Sequence, residues 1–270
     1  MTIFVANWEV ESHVLSCFYH HEFRFMPAPH PDTLELRPRC TSLPATPPGL
    51  SDVPGGWTER EWTIEGRQFQ LVLPASPDAL LDDADVHAAF DQDEYMPYWA
   101  YLWPAALKMA ATILRRAWNP GTEVLELGAG IGLVGLAGLS QGLRVTFSDY
   151  EPKAVALALF NAHRAGFGQA GGLVLDWRVP PAAQYEWLWG CELLYEDRNH
   201  EPILALTAKM LAPGGTAWFV DGGRAKAARF CNLLSQFGFE HEIFDEDFKS
   251  LSRPRVGQYQ LIEVRRAGSV

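Results

Sequence analysis

The chain has 270 residues, which is enough for one well-buried α/β domain with an extension. Its formal net charge is −11 and it has no run of Lys and Arg, so the average field disfavours a nucleic-acid partner. No apolar run reaches membrane length, and the first residues lack the pattern of a signal peptide. None of the four cysteines forms a C-x-x-C pair, so we expect no metal site, no disulfide framework and a cytoplasmic protein.

The first 97 residues divide into two predicted segments. Residues 1–56 have no sustained hydrophobic period and include the proline-rich stretch SLPATPPGLSDVPGG, which predicts a flexible extension. In residues 57–97, the alternation in EWTIEGRQFQLVLP predicts a β-hairpin that turns at Glu65 and Gly66. The acidic sequence that follows is predicted to be helical in part, so we interpret 57–97 as a hairpin with a helical cap.

Residues 98–270 alternate between strand and helix patterns. A helix is predicted from Pro104, because proline suits a first helical turn and apolar residues then recur at helical spacing. Short strands are predicted at EVLEL, LRVTFS, GLVLDW, YEWLWGCELL and GTAWFVDG, and two last strands, FEHEIFDEDF and QYQLIEV, have no helix between them. This order predicts an α/β fold, a Rossmann-like seven-stranded mostly parallel sheet with a C-terminal antiparallel hairpin strand and helices on both faces.

The strongest local signal is the glycine loop, Gly128-Ala129-Gly130-Ile131-Gly132, which follows a strand and opens a helix. Glycines allow sharp turns and close approach of a ligand to the backbone. Asp149 lies just past the next strand, where a carboxylate can accept hydrogen bonds from ribose hydroxyls. The pair predicts a nucleoside site, since a glycine loop alone is weak evidence.

The register of the loop separates two cofactor classes. Counted from the strand end at Leu127, the pattern is G-x-G-x-G, and Glu126 precedes it within the strand. A pyrophosphate disfavours a nearby acid, whereas the ammonium of S-adenosylmethionine is favoured by one. We therefore predict that the loop binds S-adenosylmethionine. A nicotinamide-dependent oxidoreductase remains a minor alternative, as does a purely structural glycine turn.

These motifs carry a family resemblance. The segment VLELGAGIGLVGL resembles the first motif of the class I, seven-strand S-adenosylmethionine-dependent methyltransferases, and VTFSDYEP resembles their second-strand motif. The later segments LDW, GCELLYEDRNHEPIL and LAPGG are similar to methyltransferase family 16, which includes protein-lysine methyltransferases and nicotinamide N-methylase-like proteins. The resemblance extends from about residue 98 to residue 264.

The resemblance implies two catalytic residues. They are Glu192 and Tyr195, the ends of an acid-x-x-aromatic motif, although aspartate is commoner in the family at the first position. Together, the loop and the resemblance predict a cofactor-binding set composed of Trp103, Glu126, Gly128, Gly130, Gly132, Asp149, Asp176, Trp177 and Cys191. Trp99 is a second candidate near Trp103. Each tryptophan could instead be core packing, and Arg224 could be functional or a solvated residue at a helix start.

The predicted function is N-methylation of a lysine side chain on a protein substrate, by a chain that we expect to act as a monomer without nucleic acid or membrane. A small-molecule N-methyltransferase is the alternative, and a non-catalytic binding protein on the same fold is a minor one. The acid-x-x-aromatic motif argues against the last possibility.

Overall fold

The computed structural model describes residues 41–43 and 45–267. The predicted extension, residues 1–56, therefore lies mostly outside the described residues. Contacts divide the chain into one unit that ends at Ala100 and a second that begins at Tyr101. In the described residues no helix is long and apolar enough to cross a membrane.

The first unit contains the predicted hairpin. A short β1 (Thr41–Ser42), β2 (Trp57–Ile64) and β3 (Arg67–Pro74) form an antiparallel sheet. Glu65 and Gly66 make the turn, both with positive φ, which confirms the predicted hairpin. Two 3₁₀ helices and α1 (Ala84–Asp93) follow.

In the described residues of the second unit, five further α-helices and five strands precede the closing strands. Helix α2 (Pro104–Arg115) precedes β4 (Glu123–Leu127), α3 (Leu133–Leu139), β5 (Arg144–Asp149) and α4 (Pro152–Arg164). Next come β6 (Gly171–Val174), β7 (Tyr185–Cys191), α5 (Asp197–Met210), β8 (Leu211–Asp221) and α6 (Ala227–Leu234). The chain closes with β9 (Phe239–Phe244), β10 (Ser250–Leu251) and β11 (Gln260–Arg266).

These strands form one mixed sheet in the order β10-β9-β11-β8-β7-β4-β5-β6. Strands β4 to β8 are parallel to their neighbours, and β11 is antiparallel to both β8 and β9. The Rossmann-like prediction is confirmed, with one difference. The eighth strand is the two-residue β10, which pairs with the edge of β9 and is too short to leave a periodic pattern in the sequence.

The two faces of the sheet carry different helices. One face presents Glu126 and Phe147 toward α3, where an added Cβ on Gly135 would lie 2.3 Å from Phe147. The other face contributes Phe219 to a core shared with Phe230 of α6. Strand residues alternate between faces, so this division follows directly from the apolar pattern of the strands. Gly135 is required because α3 packs this closely on β5.

Three tryptophans, Trp118, Trp187 and Trp218, form a cluster of rings next to the C-terminal end of α2. The guanidinium of Arg116 lies 5.0–5.2 Å from the ring centroids of Trp118, Trp187 and Trp218. The Nε1 of Trp218 donates to the buried carboxylate of Glu263 over 2.8 Å. Several of the ten tryptophans are therefore core, and their rings surround a cation that belongs to the chain itself.

Candidate active site

Four neighbouring parallel strands end at the same edge of the sheet. Strand β4 leads into the glycine loop, β5 ends at Asp149, β7 ends at Cys191, and β8 ends at Asp221. In open α/β sheets, ligands bind outside the carboxyl ends of the strands. The predicted site residues that follow β4, β5 and β7 therefore share one edge.

The three loop glycines have positive φ, and the structure separates their roles. A Cβ on Gly128 would lie 2.6 Å from the Leu193 side chain, and one on Gly132 would lie 2.9 Å from that of Ala158. Both positions thus need glycine for packing as well as for conformation. The amide of Gly130 points instead to the carboxylate of Asp149.

Asp149 fixes the loop to the neighbouring strand. Its Oδ2 accepts a hydrogen bond from Gly130 N over 3.0 Å, and its Oδ1 accepts one from Glu151 N over 3.0 Å. Burial raises the pKa of Asp149 to about 6, although the two amides oppose this effect. The carboxylate is positioned by backbone alone and retains lone pairs for a further donor.

Glu126 makes a contact within the chain that the sequence pattern did not indicate. Its Oε2 accepts a hydrogen bond from Gly135 N over 2.9 Å, on the α3 face of the sheet. Burial, only partly offset by that amide, raises its pKa to about 8. The carboxyl thus satisfies an amide in the first turn of α3, and this contact, which the sequence pattern did not indicate, favours a structural role.

Asp176 and Trp177, two adjacent members of the predicted cofactor-binding set, have different surroundings. Asp176 accepts hydrogen bonds from the Arg178 guanidinium at 2.9–3.0 Å through both of its oxygens, which lowers its pKa. The guanidinium lies 5.8 Å from the ring of the exposed Tyr150. Trp177 is closer to the loop: a Cβ on Gly128 would be 3.8 Å from its ring. Its buried Nε1 has no hydrogen-bond partner among the described residues.

Cys191 lies among acidic side chains at the end of β7. Burial raises the pKa of its thiol well above the usual value, and the charges of Glu192, Glu126 and Asp221 raise it further. A thiol with a raised pKa is a poor nucleophile. Cys191 is therefore a neutral side chain within an acidic environment, which suits a neighbouring cation.

Glu192 has an unusual backbone. Its φ is 59°, in the left-handed region that non-glycine residues rarely adopt, and its side chain is buried. Such a conformation costs on the order of 1 kcal/mol and persists only where the surrounding structure enforces it. The enforcing contacts come from β8, because Glu192 N donates to Val220 O over 2.7 Å and Oε1 accepts from Gly222 N over 3.1 Å.

Arg224 completes the environment of this carboxylate. Its Nε and Nη2 lie 3.0 and 2.9 Å from Oε2 of Glu192. Burial raises the pKa of Glu192, and the guanidinium is the largest effect that opposes the rise. The sequence left the role of Arg224 open. Its position directly after two glycines at the end of β8 was the only available signal.

The turn that carries Arg224 is itself held in place. Asp221 Oδ1 accepts hydrogen bonds from Gly223 N and from Arg224 N, the latter over 3.0 Å. Gly223 has φ 94°, and a Cβ there would lie 2.2 Å from Gln258 N. Only glycine fits beneath this adjacent loop. The guanidinium therefore projects from a rigid turn toward Glu192.

Two aromatic rings border the same guanidinium. The ring centroids of Trp103 and Tyr195 each lie 5.8 Å from the Arg224 carbon Cζ. Trp103 is the N-cap residue directly before α2, and Tyr195 follows β7, where its carbonyl accepts a hydrogen bond from Lys226 Nζ. The structure thus brings together Glu192, Tyr195 and Trp103, although the sequence assigned the last of these to the cofactor.

The edge of the sheet suits the S-adenosylmethionine that the resemblance implies. Asp149 offers a carboxylate beside the glycine loop, Trp177 offers a buried donor without a protein partner, and Cys191 lies among carboxylates. The ligand carries cationic groups and hydroxyls that match these features. Among the described residues no cluster of three or more His, Cys, Asp or Glu side chains could hold a metal ion.

Comparison with known proteins gives the same class of protein. Residues 89–205 match the family model described as lysine methyltransferase. The chain is 29% identical over 158 residues to mouse EEF1A lysine methyltransferase 3, covering 55% of this chain and 68% of the relative. It is 25% identical over 185 residues to mouse histone-arginine methyltransferase METTL23, covering 63% and 69%.

Solved structures agree in fold. A TehB-like methyltransferase from Corynebacterium glutamicum matches with a TM-score of 0.50 and 20% identity, over 58% of this chain and 87% of the other. The glycopeptide N-methyltransferase MtfA, solved with S-adenosylmethionine, matches with a TM-score of 0.50 and 12% identity, over 61% and 96%. Together with the family match and the site geometry, these findings identify the chain as an S-adenosylmethionine-dependent methyltransferase with a class I fold, similar over residues 89–205 to methyltransferase family 16.

Proposed function

We propose that this methyltransferase modifies a lysine side chain of a protein substrate, with Glu192 and Tyr195 as its catalytic residues. The main observation in support is the buried Glu192 carboxylate, which is bound by Arg224 and Gly222. The rings of Trp103 and Tyr195 border the same arginine. A carboxylate beside aromatic faces is suited to a nitrogen that gains positive charge as it reacts. The names of the relatives support a protein substrate, one a lysine enzyme and one an arginine enzyme.

The reaction needs alignment more than acid or base strength. When bound, S-adenosylmethionine supplies a methyl group on a sulfonium, which is already a strong electrophile. The protein has to present a neutral nitrogen at near-attack distance. The buried surroundings of Glu192 favour a neutral amine, and its carboxylate can accept a hydrogen bond that directs the lone pair. As the nitrogen becomes cationic, the Tyr195 ring and Glu192 stabilise the new charge.

The proposed cofactor contacts divide along the sheet edge. We assign Asp149 to the ribose hydroxyls and Trp177 to the nucleoside side, with Gly130 leaving the backbone open to approach. Cys191, near three carboxylates, is assigned to the side of the amino-acid group. Glu126 and Asp176 have partners within the chain, so we expect weaker contributions from them.

A labelling experiment tests the proposal. The full chain is incubated with radiolabelled S-adenosylmethionine and unfractionated cell lysate, and the labelled protein is hydrolysed to identify the modified amino acid. We expect methylated lysine, with no label when Glu192→Gln replaces the wild type. Methylated arginine would contradict the proposed lysine acceptor and would instead indicate an arginine acceptor, as the name of METTL23 states for that relative. Label confined to small molecules would instead support the small-molecule alternative.

A further inference from the structure

The contacts of Glu192 assign a role to Arg224 that neither the motif nor the family match specifies. We propose that Arg224 is the positioning residue of the acceptor site: it keeps the Glu192 carboxylate ionised, binds Oε2, and leaves an acceptor position on Oε1 for the reacting nitrogen. This inference rests on the proposed function, because it takes the reacting nitrogen to be the lysine nitrogen that accepts the methyl group. The state of Glu192 can, however, be measured without any substrate.

The first step is a count of acceptor positions. A carboxylate offers about four lone-pair positions. In Glu192, Gly222 N occupies one position on Oε1, and Arg224 contacts Oε2 through a hydrogen bond from Nε over 3.0 Å and an ion pair from Nη2 over 2.9 Å. Within the described part of the chain these are the donors to Glu192, so one position remains on Oε1. A primary amine needs one such position, whereas a guanidinium is best held by two parallel hydrogen bonds.

The second step concerns charge. The groups that face Glu192 are Arg224 and Asp221 from the end of β8 and Cys191 from its own strand. Asp221 is buried and its pKa is raised, and the Cys191 thiol is neutral, so neither stabilises an ionised Glu192. Arg224 is the cation in direct contact. Without Arg224, burial would favour the protonated form of Glu192. A protonated carboxyl carries a hydroxyl on one oxygen and therefore has fewer positions that accept a hydrogen bond.

The third step is rigidity. The Arg224 amide is bound to Asp221, and the preceding Gly223 is enclosed by the loop at Gln258. The Arg224 guanidinium lies 5.8 Å from the ring centroids of both Trp103 and Tyr195. A solvated arginine at a helix start has no need of these contacts. The arrangement holds the guanidinium on Oε2 and thereby determines which oxygen faces the acceptor.

The primary test measures the titration of Glu192 itself. Protein labelled with ¹³C at the glutamate carboxyl is titrated by NMR with S-adenosylhomocysteine bound, and Glu192→Gln assigns the signal by its absence. In Arg224→Gln we expect the proton affinity of the Glu192 carboxylate to rise about tenfold or more, because the adjacent opposite charge has been removed. Arg224→Lys should restore most of the wild-type titration. It also serves as the second variant if Arg224→Gln is poorly folded.

The matched control is Arg116→Gln, which removes the other guanidinium that lies over aromatic rings near a buried glutamate. It should leave the titration of Glu192 unchanged. A second control, Lys226→Gln, removes a nearby cation whose ammonium binds the Tyr195 carbonyl instead. Identical titration of Glu192 in the wild type and in Arg224→Gln would overturn the proposal.

Turnover supplies the second readout. For Arg224→Gln we expect kcat/KM at pH 7 to fall about tenfold or more, with recovery as the pH is raised, while the affinity for S-adenosylhomocysteine changes less than about twofold. A variant faster than wild type at every pH would mean that the guanidinium blocks the acceptor, which also overturns the proposal. Failure of the wild type to methylate lysine would reject the proposed function but leave the NMR result interpretable.

Discussion

The two halves of the active site hold their carboxylates by different means. On the cofactor side, Asp149 is bound by the amides of Gly130 and Glu151, and none of the described side chains forms an ion pair with it. On the acceptor side, Glu192 is bound by one amide and by the guanidinium of Arg224, on a left-handed backbone. Backbone contacts make the first half largely independent of neighbouring side chains. The second half depends on one long-range ion pair and should be the easier half to disable.

The largest effect expected from this comparison is that of Glu192→Gln. The amide keeps the size of the side chain but loses its charge, so it cannot orient an amine in the same way. We expect turnover to fall by about 100-fold or more, since positioned proton acceptors contribute roughly 10²–10⁴-fold. Calorimetry should show unchanged affinity for S-adenosylhomocysteine. Undiminished turnover would contradict the catalytic assignment.

Asp149→Asn should produce the reverse pattern. The amide can still accept from Gly130 N, but the charged acceptor for the ribose hydroxyls is lost. Losing one charged hydrogen bond costs about 1.5–3 kcal/mol, which is roughly a ten- to hundredfold loss of affinity for S-adenosylhomocysteine. The titration of Glu192 by NMR should be unchanged. Equal affinity in the wild type and the variant would remove Asp149 from the cofactor site.

The same contrast explains what the sequence could predict. The glycine loop and Asp149 lie 19 residues apart on adjacent strands, and their geometry follows from glycine positions and strand ends. Motif spacing therefore predicts the cofactor half and the sheet that carries it. Arg224 and Glu192 lie 32 residues apart, and their contact depends on the conformation of a turn after β8. No periodicity or spacing encodes that turn, apart from its two glycines.

Two of the predicted cofactor residues, Asp176 and Glu126, have contacts within the chain that the sequence pattern did not indicate. Asp176 has Arg178 two positions further along the chain, and their ion pair engages both of its oxygens. Glu126 faces the first turn of α3, where Gly135 N needs an acceptor. Strand alternation gives the face on which a side chain lies, but not the partner that it finds there. The motif therefore predicts acids at this edge of the sheet but not the hydrogen bonds that each of them makes.

A pH titration of cofactor affinity sharpens the contrast further. Because the pKa of Asp149 is raised to about 6, its carboxylate becomes protonated as the pH falls through that value and loses an acceptor. We expect affinity for S-adenosylhomocysteine to fall below about pH 6, by at most tenfold per pH unit. Asp149→Asn should lack this dependence. An identical pH profile in both proteins would assign the effect to another group.

The smallest expected effect concerns Glu126, whose raised pKa of about 8 compares with an ordinary value of 4.5. Between these values the native state binds the proton more tightly than the unfolded chain, so the free energy of unfolding falls as the pH rises through the window. The slope from this group is at most about 1.4 kcal/mol per pH unit. Glu126→Gln keeps an oxygen for Gly135 N and cannot ionise, which removes that slope.

Urea unfolding of the ligand-free wild type and Glu126→Gln isolates this contribution, because groups distant from Glu126 titrate equally in both. The two proteins should be similarly stable at pH 5, and the variant should be more stable by about 1 kcal/mol or more at pH 8. A constant difference between them would mean that Glu126 does not titrate in the window. Affinity for S-adenosylhomocysteine should survive the substitution, because the carboxyl is bound to α3. A large loss would return Glu126 to the cofactor site, where the sequence pattern first placed it.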